Sequence, residues 1–309
     1  MKSRILQLLQ KIPGPVSGEM LSEALGVSRV SIWKHIRKLQ DLGYAIASTP
    51  RGYCLEDSGD ALFAWEFPGY PVHYFQEVDS TMSRARQMAR EGCPHMTVVI
   101  AERQRRGRGR LARTWNSADG GLYFTVVLRP RIPIMQSCRV NFAVSLAVAK
   151  ILQTGYGIPA RVKWPNDVLV EGKKICGILS EMEAEADMVS FINVGIGINV
   201  NNDPTADEPG ACSIKGLLGR DVSRRDLMAG FLEAFSIQMD RLASEDIVAE
   251  WKRHTLTLGR QVRIVTVRDT VEGRAVDVDE TGALILELAD GTSRKVVYGD
   301  CFHDPVQER

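Results

Sequence analysis

The chain has 309 residues, 44% of them apolar and 25% charged, with a formal net charge of +1. That length exceeds a single hydrophobic core, so two or three domains are expected in an otherwise ordinary globular composition. Near-neutrality excludes a bulk electrostatic pull toward nucleic acid or membrane, which leaves any polyanion contact to local clusters.

The opening MKSRILQLLQKIPG is too broken by Gln and Lys for a signal peptide, and no later stretch reaches the length of a membrane span. Six cysteines, at 54, 93, 138, 176, 212 and 301, form no C-x-x-C pair. They read as small apolar residues of a reducing compartment, not as a disulfide or zinc set, so a cytoplasmic protein with no resident metal is expected. Leu6, Leu8 and Leu9 predict a short helix ending before Pro13-Gly14-Pro15. Ser17 is placed to cap a second helix carrying Met20, Leu21 and Leu25. After the Gly26-Val27-Ser28 turn, Ser28 is placed to cap a third helix that runs to about Leu42.

In that third helix Val30, Ile32, Trp33, Ile36 and Leu39 are expected to face the core. Arg29, Lys34, Arg37 and Lys38 share it with no acidic residue between 28 and 40. Residues 45–48 and 53–55, joined at Pro50-Arg51-Gly52, predict a two-stranded wing. Two short helices on a glycine-containing turn are the helix-turn-helix signature. It places Ser28, Arg29 and Ser31 near base edges, Lys34 and Lys38 near phosphates with Arg37 on the same basic face, and Arg51 on phosphate at the wing tip. The competing reading of these residues is a small helical packing module with a solvated basic face.

After a polar junction at 57–60, residues 72–75, 97–101 and 122–128 predict strands, with a helix at 83–90 between the first two. A helix at 141–153, strands at 168–170, 175–182 and 191–200, and a helical stretch at 224–243 follow. Hairpins rather than strict strand–helix alternation suggest an α+β domain. Within it, QRRGRGRLARTW (104–115) interleaves five arginines with two glycines and ends on Trp115. Glycine lets backbone close on a ligand, guanidinium forks suit phosphate or carboxylate oxygens, and an indole suits a purine. The residues alone fit a cover over a nucleoside triphosphate, a solvated loop or a sequence-tolerant RNA contact; no Walker A pattern is present.

KWPND (163–167) and GKKICGIL (172–179) narrow that choice. Pro165 is expected to set Asn166 and Asp167 on a turn, free for a ligand or metal, and Lys174 to open an apolar strand with its ammonium pointing inward. From about Leu258, short segments of alternating apolar and polar residues with glycine and aspartate turns suggest a small SH3-like β-barrel.

Ser80-Thr81 in EVDSTM, GRGRLARTW, KWPND and GKKICGIL, in this order, closely resemble the biotin–protein ligases. With the N-terminal winged helix the resemblance spans nearly the whole chain and extends to bifunctional members that also repress biotin-synthesis genes. It implies an α+β protein: a winged helix-turn-helix at 1–60, a central mixed α/β catalytic domain of class II synthetase-like type at 61–257, and an SH3-like β-barrel at 258–309.

It further implies that Ser80, Thr81 and Gln104 hydrogen-bond biotin, that Arg108, Gly109 and Arg110 form the biotin and adenylate loop, and that Lys174 lies beside the biotin carboxylate. Asp167 is placed near the adenylate, Trp115 over the adenine, and Lys163 at phosphate, with Arg113, Asn166 and Asn199 also at the nucleotide. Lys174, Arg108, Arg110 and Asp167 are the catalytic candidates. ATP, Mg²⁺ and biotin, a biotin carboxyl carrier protein of acetyl-CoA carboxylase or a related carboxylase, operator DNA and a homodimer are the implied ligands and partners. Met82 stands where the family usually has Asn, and Ala112 where it usually has Gly. A biotin-sensing transcription factor without ligase activity is the alternative, disfavoured because Lys174, Arg108 and Arg110 are all present. A lipoate-type ligase is disfavoured by KWPND, and bulk RNA binding by the neutral charge.

Overall fold

A computed structural model describes residues 1–242 and 246–303; the last residue of the expected helix 224–243 and the final six residues of the expected C-terminal domain lie outside them. The chain divides into two compact units, residues 1–72 with 223–226 and the remainder.

In the first unit α1 (Lys2–Lys11), α2 (Gly18–Leu25) and α3 (Arg29–Asp41) precede β1 (Ala45–Thr49) and β2 (Gly52–Asp57). Both expected caps form: Ser17 accepts from the Met20 amide at 3.1 Å and Ser28 from the Ser31 amide at 3.2 Å. Each satisfies an amide that the first helical turn leaves without an internal partner. Ile5, Leu9, Leu21, Ile32, Ile36 and Leu39 fill the core. Val30 and Trp33, expected inside, are 63% and 49% exposed. The core stripe of α3 is Ile32, Ile36 and Leu39 at spacings of four and three, and the helical period turns residues 30 and 33 to the other side.

The wing pairs Thr49 with Gly52, leaving Pro50-Arg51 as its two-residue tip. Gly52 has φ +135°, and a Cβ there would lie 2.2 Å from the Val16 carbonyl oxygen. Only glycine lets the wing exchange its two backbone hydrogen bonds between Tyr53 and Val16.

The second unit is built on β3 (Val72–Val78), α4 (Thr81–Arg90), β4 (Thr97–Gln104), β5 (Leu122–Leu128), α5 (Cys138–Tyr156), β6 (Arg161–Lys163), β7 (Asp167–Val170), β8 (Lys173–Glu185) and β9 (Met188–Ile198). These seven strands form one sheet in the order β3-β4-β5-β9-β8-β7-β6. Every neighbour from β4 to β6 is antiparallel. Alternation along each strand separates two faces. Phe124 of β5 meets Phe231 of α7 (Arg224–Asp240) at 5.3 Å between ring centroids on one face. On the other, Ala85 and Ala89 of α4 pack against Val99, Val127 and Phe191. α4 begins two residues before the expected 83, which puts Thr81 in its first turn.

The short α6 (Ile214–Leu218) and α8 (Asp246–His254) were not signalled in the sequence. At the C-terminal end β10 (Gln261–Val265), β11 (Thr270–Val278), β12 (Leu284–Glu287), β13 (Ser293–Val296) and β14 (Asp300–His303) make a separate antiparallel sheet ordered β13-β12-β11-β10-β14. It meets the KWPND turn through Trp164, which is 1% exposed and donates its indole N–H to the Gly282 carbonyl at 3.0 Å. Among the described residues no helix is long and apolar enough to cross a membrane, and all six cysteines are free thiols.

Candidate active site

The floor of the site is made by missing side chains. Gly177 of β8 and Gly197 of β9 are directly paired across the sheet, and Leu179 pairs with Gly195. A Cβ on Gly197 would fall 2.4 Å from the Trp115 ring, and one on Gly177 2.6 Å from its far edge. The indole therefore lies across both strands at a separation that only bare backbone permits. Met82 uses Gly195 in the same way, with its sulfur 2.7 Å from where a Cβ would stand. The residue that departs from the family's usual Asn is thus a buried apolar part of the floor.

Above this floor is a cavity of about 240 Å³. From the arginine loop Arg108, Gly109, Arg110, Arg113 and Trp115 line it; from the sheet and helix α4 come Thr81, Gln104, Asn166, Asp167, Lys174 and Asn199. Ser80 and Lys163 are not on its wall. Ser80 is 3% exposed, and its hydroxyl has no partner among the described residues. Lys163 sits in β6 opposite Asp167. The seven expected DNA contacts, Ser28, Arg29, Ser31, Lys34, Arg37, Lys38 and Arg51, all belong to the first unit.

Lys174 is the second residue of β8 and is half-buried. Its ammonium lies 2.7 Å from an Asp167 oxygen and 5.5 Å from the centroid of the Trp115 ring. A carboxylate on one side and a ring face on the other fix a normally flexible four-carbon stem. The expectation that Asn166 and Asp167 stand free is overturned. Asn166 donates its amide to the Ile178 carbonyl at 2.6 Å and accepts from Arg110 at 2.8 Å, while Asp167 is spent on Lys174. Both position cations. Gln104 is also anchored: its carbonyl accepts from the Thr81 amide and hydroxyl at 2.8 and 3.1 Å, and its NH₂ donates to Ser117 at 2.9 Å.

The arginine run is less uniform than its sequence suggests. Arg103 pairs with Asp119 at 2.5 Å, Arg105 with Glu77 at 2.6 Å and Arg108 with Glu181 at 2.6 Å, and Arg113 pairs with Asp300. Arg110 alone of these turns to neutral acceptors, the Asn166 side chain at 2.8 Å and the Gly299 carbonyl at 2.9 Å. Burial lowers the pKa of its guanidinium, opposed by the more distant Asp300 and Asp167. An arginine does not deprotonate at working pH, so a half-buried cation with no directly paired acid among the described residues is left facing the cavity.

The loop backbone is folded, with amide-to-carbonyl bonds from Gly109 to Arg113 at 2.8 Å and from Trp115 to Gly107 at 3.0 Å. Its tip holds Leu111 at φ +50° and Ala112 at φ +59°, both in the left-handed region. A glycine at 112 adopts that backbone without steric penalty.

Glu181, Asp300 and the direct pairing of Gly177 with Gly197 were missed from sequence, although GIGINVN (195–201) resembles the family's glycine-rich strand near the nucleotide. Glycines two apart on one strand, as in GIGIN, do signal a close approach to that face. The acids carried no signal, because each lies more than seventy positions from the arginine it meets.

Three family models match the chain: an HTH domain over residues 2–54, the biotin/lipoate A/B protein ligase family over 74–201, and a biotin protein ligase C terminal domain over 257–304. A bifunctional ligase/repressor BirA of Bacillus subtilis is 33% identical over 297 residues, covering 90% of this chain and 91% of the relative. The BirA of Escherichia coli is 28% identical over 283 residues, 88% of each. Among solved structures, a biotin protein ligase from Aquifex aeolicus in complex with biotin and ATP superposes with a TM-score of 0.64 at 28% identity, covering 75% of this chain and 97% of that one.

Proposed function

The chain belongs to the biotin–protein ligase family, and from that premise we infer that it joins biotin to a lysine of a biotin carboxyl carrier protein, at the expense of ATP, and represses biotin-synthesis genes by binding DNA. The observation that carries the ligase reading is the pocket floor, a Trp115–Lys174–Asp167 group seated on paired glycines, in a cavity that the Asn166-held Arg110 guanidinium also lines. We assign residues 1–60 to DNA binding, 61–257 to catalysis and 258–309 to the C-terminal domain.

Two anions must meet in the first step. A carboxylate oxygen of biotin attacks the α-phosphorus of ATP, the bond to the β-phosphate oxygen breaks, and pyrophosphate leaves biotinyl-5′-AMP. Lys174, held in place by Asp167, offsets the charge of the carboxylate, and Arg110 meets the charge spread over the phosphoryl oxygens. Both cations are fixed before the ligand arrives, so little reorganisation accompanies the reaction. Thr81 and Gln104 present the polar end of the pocket to biotin, while Ser80, which the resemblance also places at biotin, is buried off the cavity wall. Arg108 and Gly109 cover biotin, while Trp115, Arg113, Asn166 and Asn199 border the nucleotide, and Lys163 lies off the cavity wall, paired across the sheet with Asp167.

Mg²⁺, which keeps most of its shell as water and phosphate oxygen, would enter with the triphosphate and neutralise the departing pyrophosphate. The described residues contain no cluster of three metal-binding side chains, and Asp203, Asp207 or Glu208 on the cavity wall would supply the one or two carboxylates such an ion needs. In the second step the acceptor lysine amine attacks the anhydride carbonyl, its C–O bond to AMP breaks, and the amine loses a proton. Lys174 then stabilises the carbonyl oxygen, and the folded loop keeps water from the anhydride. We place operator recognition on α3 and the wing, in a homodimer matching a two-fold site.

Incubating the protein with ATP, Mg²⁺, biotin and a carrier domain is expected to raise the carrier's mass by one biotinyl group, with release of pyrophosphate. An unmodified carrier, with no acyl-adenylate in the mixture, would falsify the ligase reading.

A further inference from the structure

Resting on the DNA-binding reading above, we infer that Val30 and Trp33 form an apolar reading edge on α3 that recognises thymine methyl groups in the major groove. Both side chains lie largely in solvent, 63% and 49% exposed, although valine and tryptophan gain from burial. Their exposure follows from the helix itself, since Ile32, Ile36 and Leu39 occupy the core side. Positions 30, 33, 34 and 37 share the opposite stripe, at the three- and four-residue spacings that put side chains on one face. That stripe is apolar in its first turn and basic in its next, through Lys34 and Arg37.

The Arg37 guanidinium stands over the Trp33 ring, 5.7 Å from its centroid, so the cation and the apolar face are in contact. Arg29 and Arg51 border the same open notch as Val30 and Trp33, between the helix and the wing. Among the described residues none of Arg29, Lys34, Arg37, Lys38 or Arg51 is ion-paired.

An apolar edge flanked by uncompensated cations fits a surface that is anionic at its rims and apolar at points within, and this decides the occupant. Phosphates supply the rims of a DNA major groove, and the thymine C5 methyl is the apolar group its base edges expose. Lysines and arginines suffice for phosphate alone. Val30 and Trp33 add nothing to charge neutralisation, so their place is against base edges, where recognition helices of this geometry put their first turns. A protein partner would meet the same patch with apolar side chains and carboxylates, and the test separates the two.

The experiment begins by letting the protein select duplexes from a random pool in the presence of ATP, Mg²⁺ and biotin, then replacing each thymine of the selected site with deoxyuridine. This removes one methyl and leaves base pairing unchanged. Loss of affinity is expected at one to three thymines in each half-site, roughly fourfold per methyl, the transfer value of one carbon. Val30→Ala and Trp33→Ala are expected to bind the thymine and uracil forms alike, while keeping the wild-type dependence of log affinity on log salt, since no cation is lost. Because both side chains are exposed, thermal midpoints should stay near wild type, which separates a recognition defect from a folding defect. Equal wild-type affinity for every thymine and uracil form overturns this inference and leaves DNA binding standing. Failure to enrich any duplex overturns the DNA-binding reading and this inference with it.

Discussion

The arginine loop and the third helix are both rich in cations, and they treat that charge in opposite ways. Around the loop, Arg103, Arg105, Arg108 and Arg113 each meet an acid, Arg106 is exposed off the cavity wall, and among the described residues of the loop Arg110 keeps its charge for the cavity. On α3, Arg29, Lys34, Arg37 and Lys38 share the helix with a single acid, Asp41, at its end. Compensated charge acts at short range and sets geometry, whereas uncompensated charge acts over the Debye length and sets affinity for a polyanion. One region is built to place a single anion and the other to attract an extended one. Four experiments break or sharpen that contrast.

The largest effect is expected from Lys174→Ala, which removes the fixed cation beside the carboxylate. Pyrophosphate release dependent on biotin should fall by roughly 10²–10³-fold, the scale of losing one preorganised charge partner. Near-normal release would remove Lys174 from the chemistry.

Next, Arg110→Gly should raise the fraction of biotinyl-5′-AMP found free in filtrate by about tenfold. Arg103→Ala deletes an exposed pair, a kind worth about 0–1 kcal/mol, and should leave retention unchanged. Equal leakage from both variants would mean that the loop acts through its total charge and that the contrast between its arginines is empty.

On the helix, Lys34→Ala and Lys38→Ala should each lower the slope of log affinity against log salt by about one and weaken all sequences alike. An unchanged slope in both would place the DNA elsewhere. The smallest effect is expected from Ala112→Gly. Relieving the left-handed strain at φ +59° should stabilise the protein by about 0.5–1 kcal/mol, read as a small rise in thermal midpoint. A fall would show that the loop tip leaves this conformation in solution.

Much of the fold was legible because its signals are local. Ser17 and Ser28 announced their helices as caps, and residues 122–128 announced a β-rich run that the structure places within β5, buried on both faces. The site was legible in composition more than in arrangement. Trp115 and Lys174 were recognised as site residues, yet nothing in the sequence states that the indole lies on Gly177 and Gly197 or that Lys174 leans on Asp167. Val30 and Trp33 show how local reading fails. Their apolar character predicted burial, but the α3 face that packs is chosen by α1 and α2, and Ile32, Ile36 and Leu39 match it better.

By itself the sequence determined most of the segments that become helix and strand, the capped starts of α2 and α3, and which chemical groups are available, because capping, periodicity and side-chain chemistry act over a few residues. Only the tertiary structure decided which arginines are neutralised, which glycines become a floor and which apolar side chains stay in water. Those outcomes depend on partners such as Glu181 for Arg108 and Asp300 for Arg113, distant along the chain and brought together by the packing of a long antiparallel sheet with its neighbours.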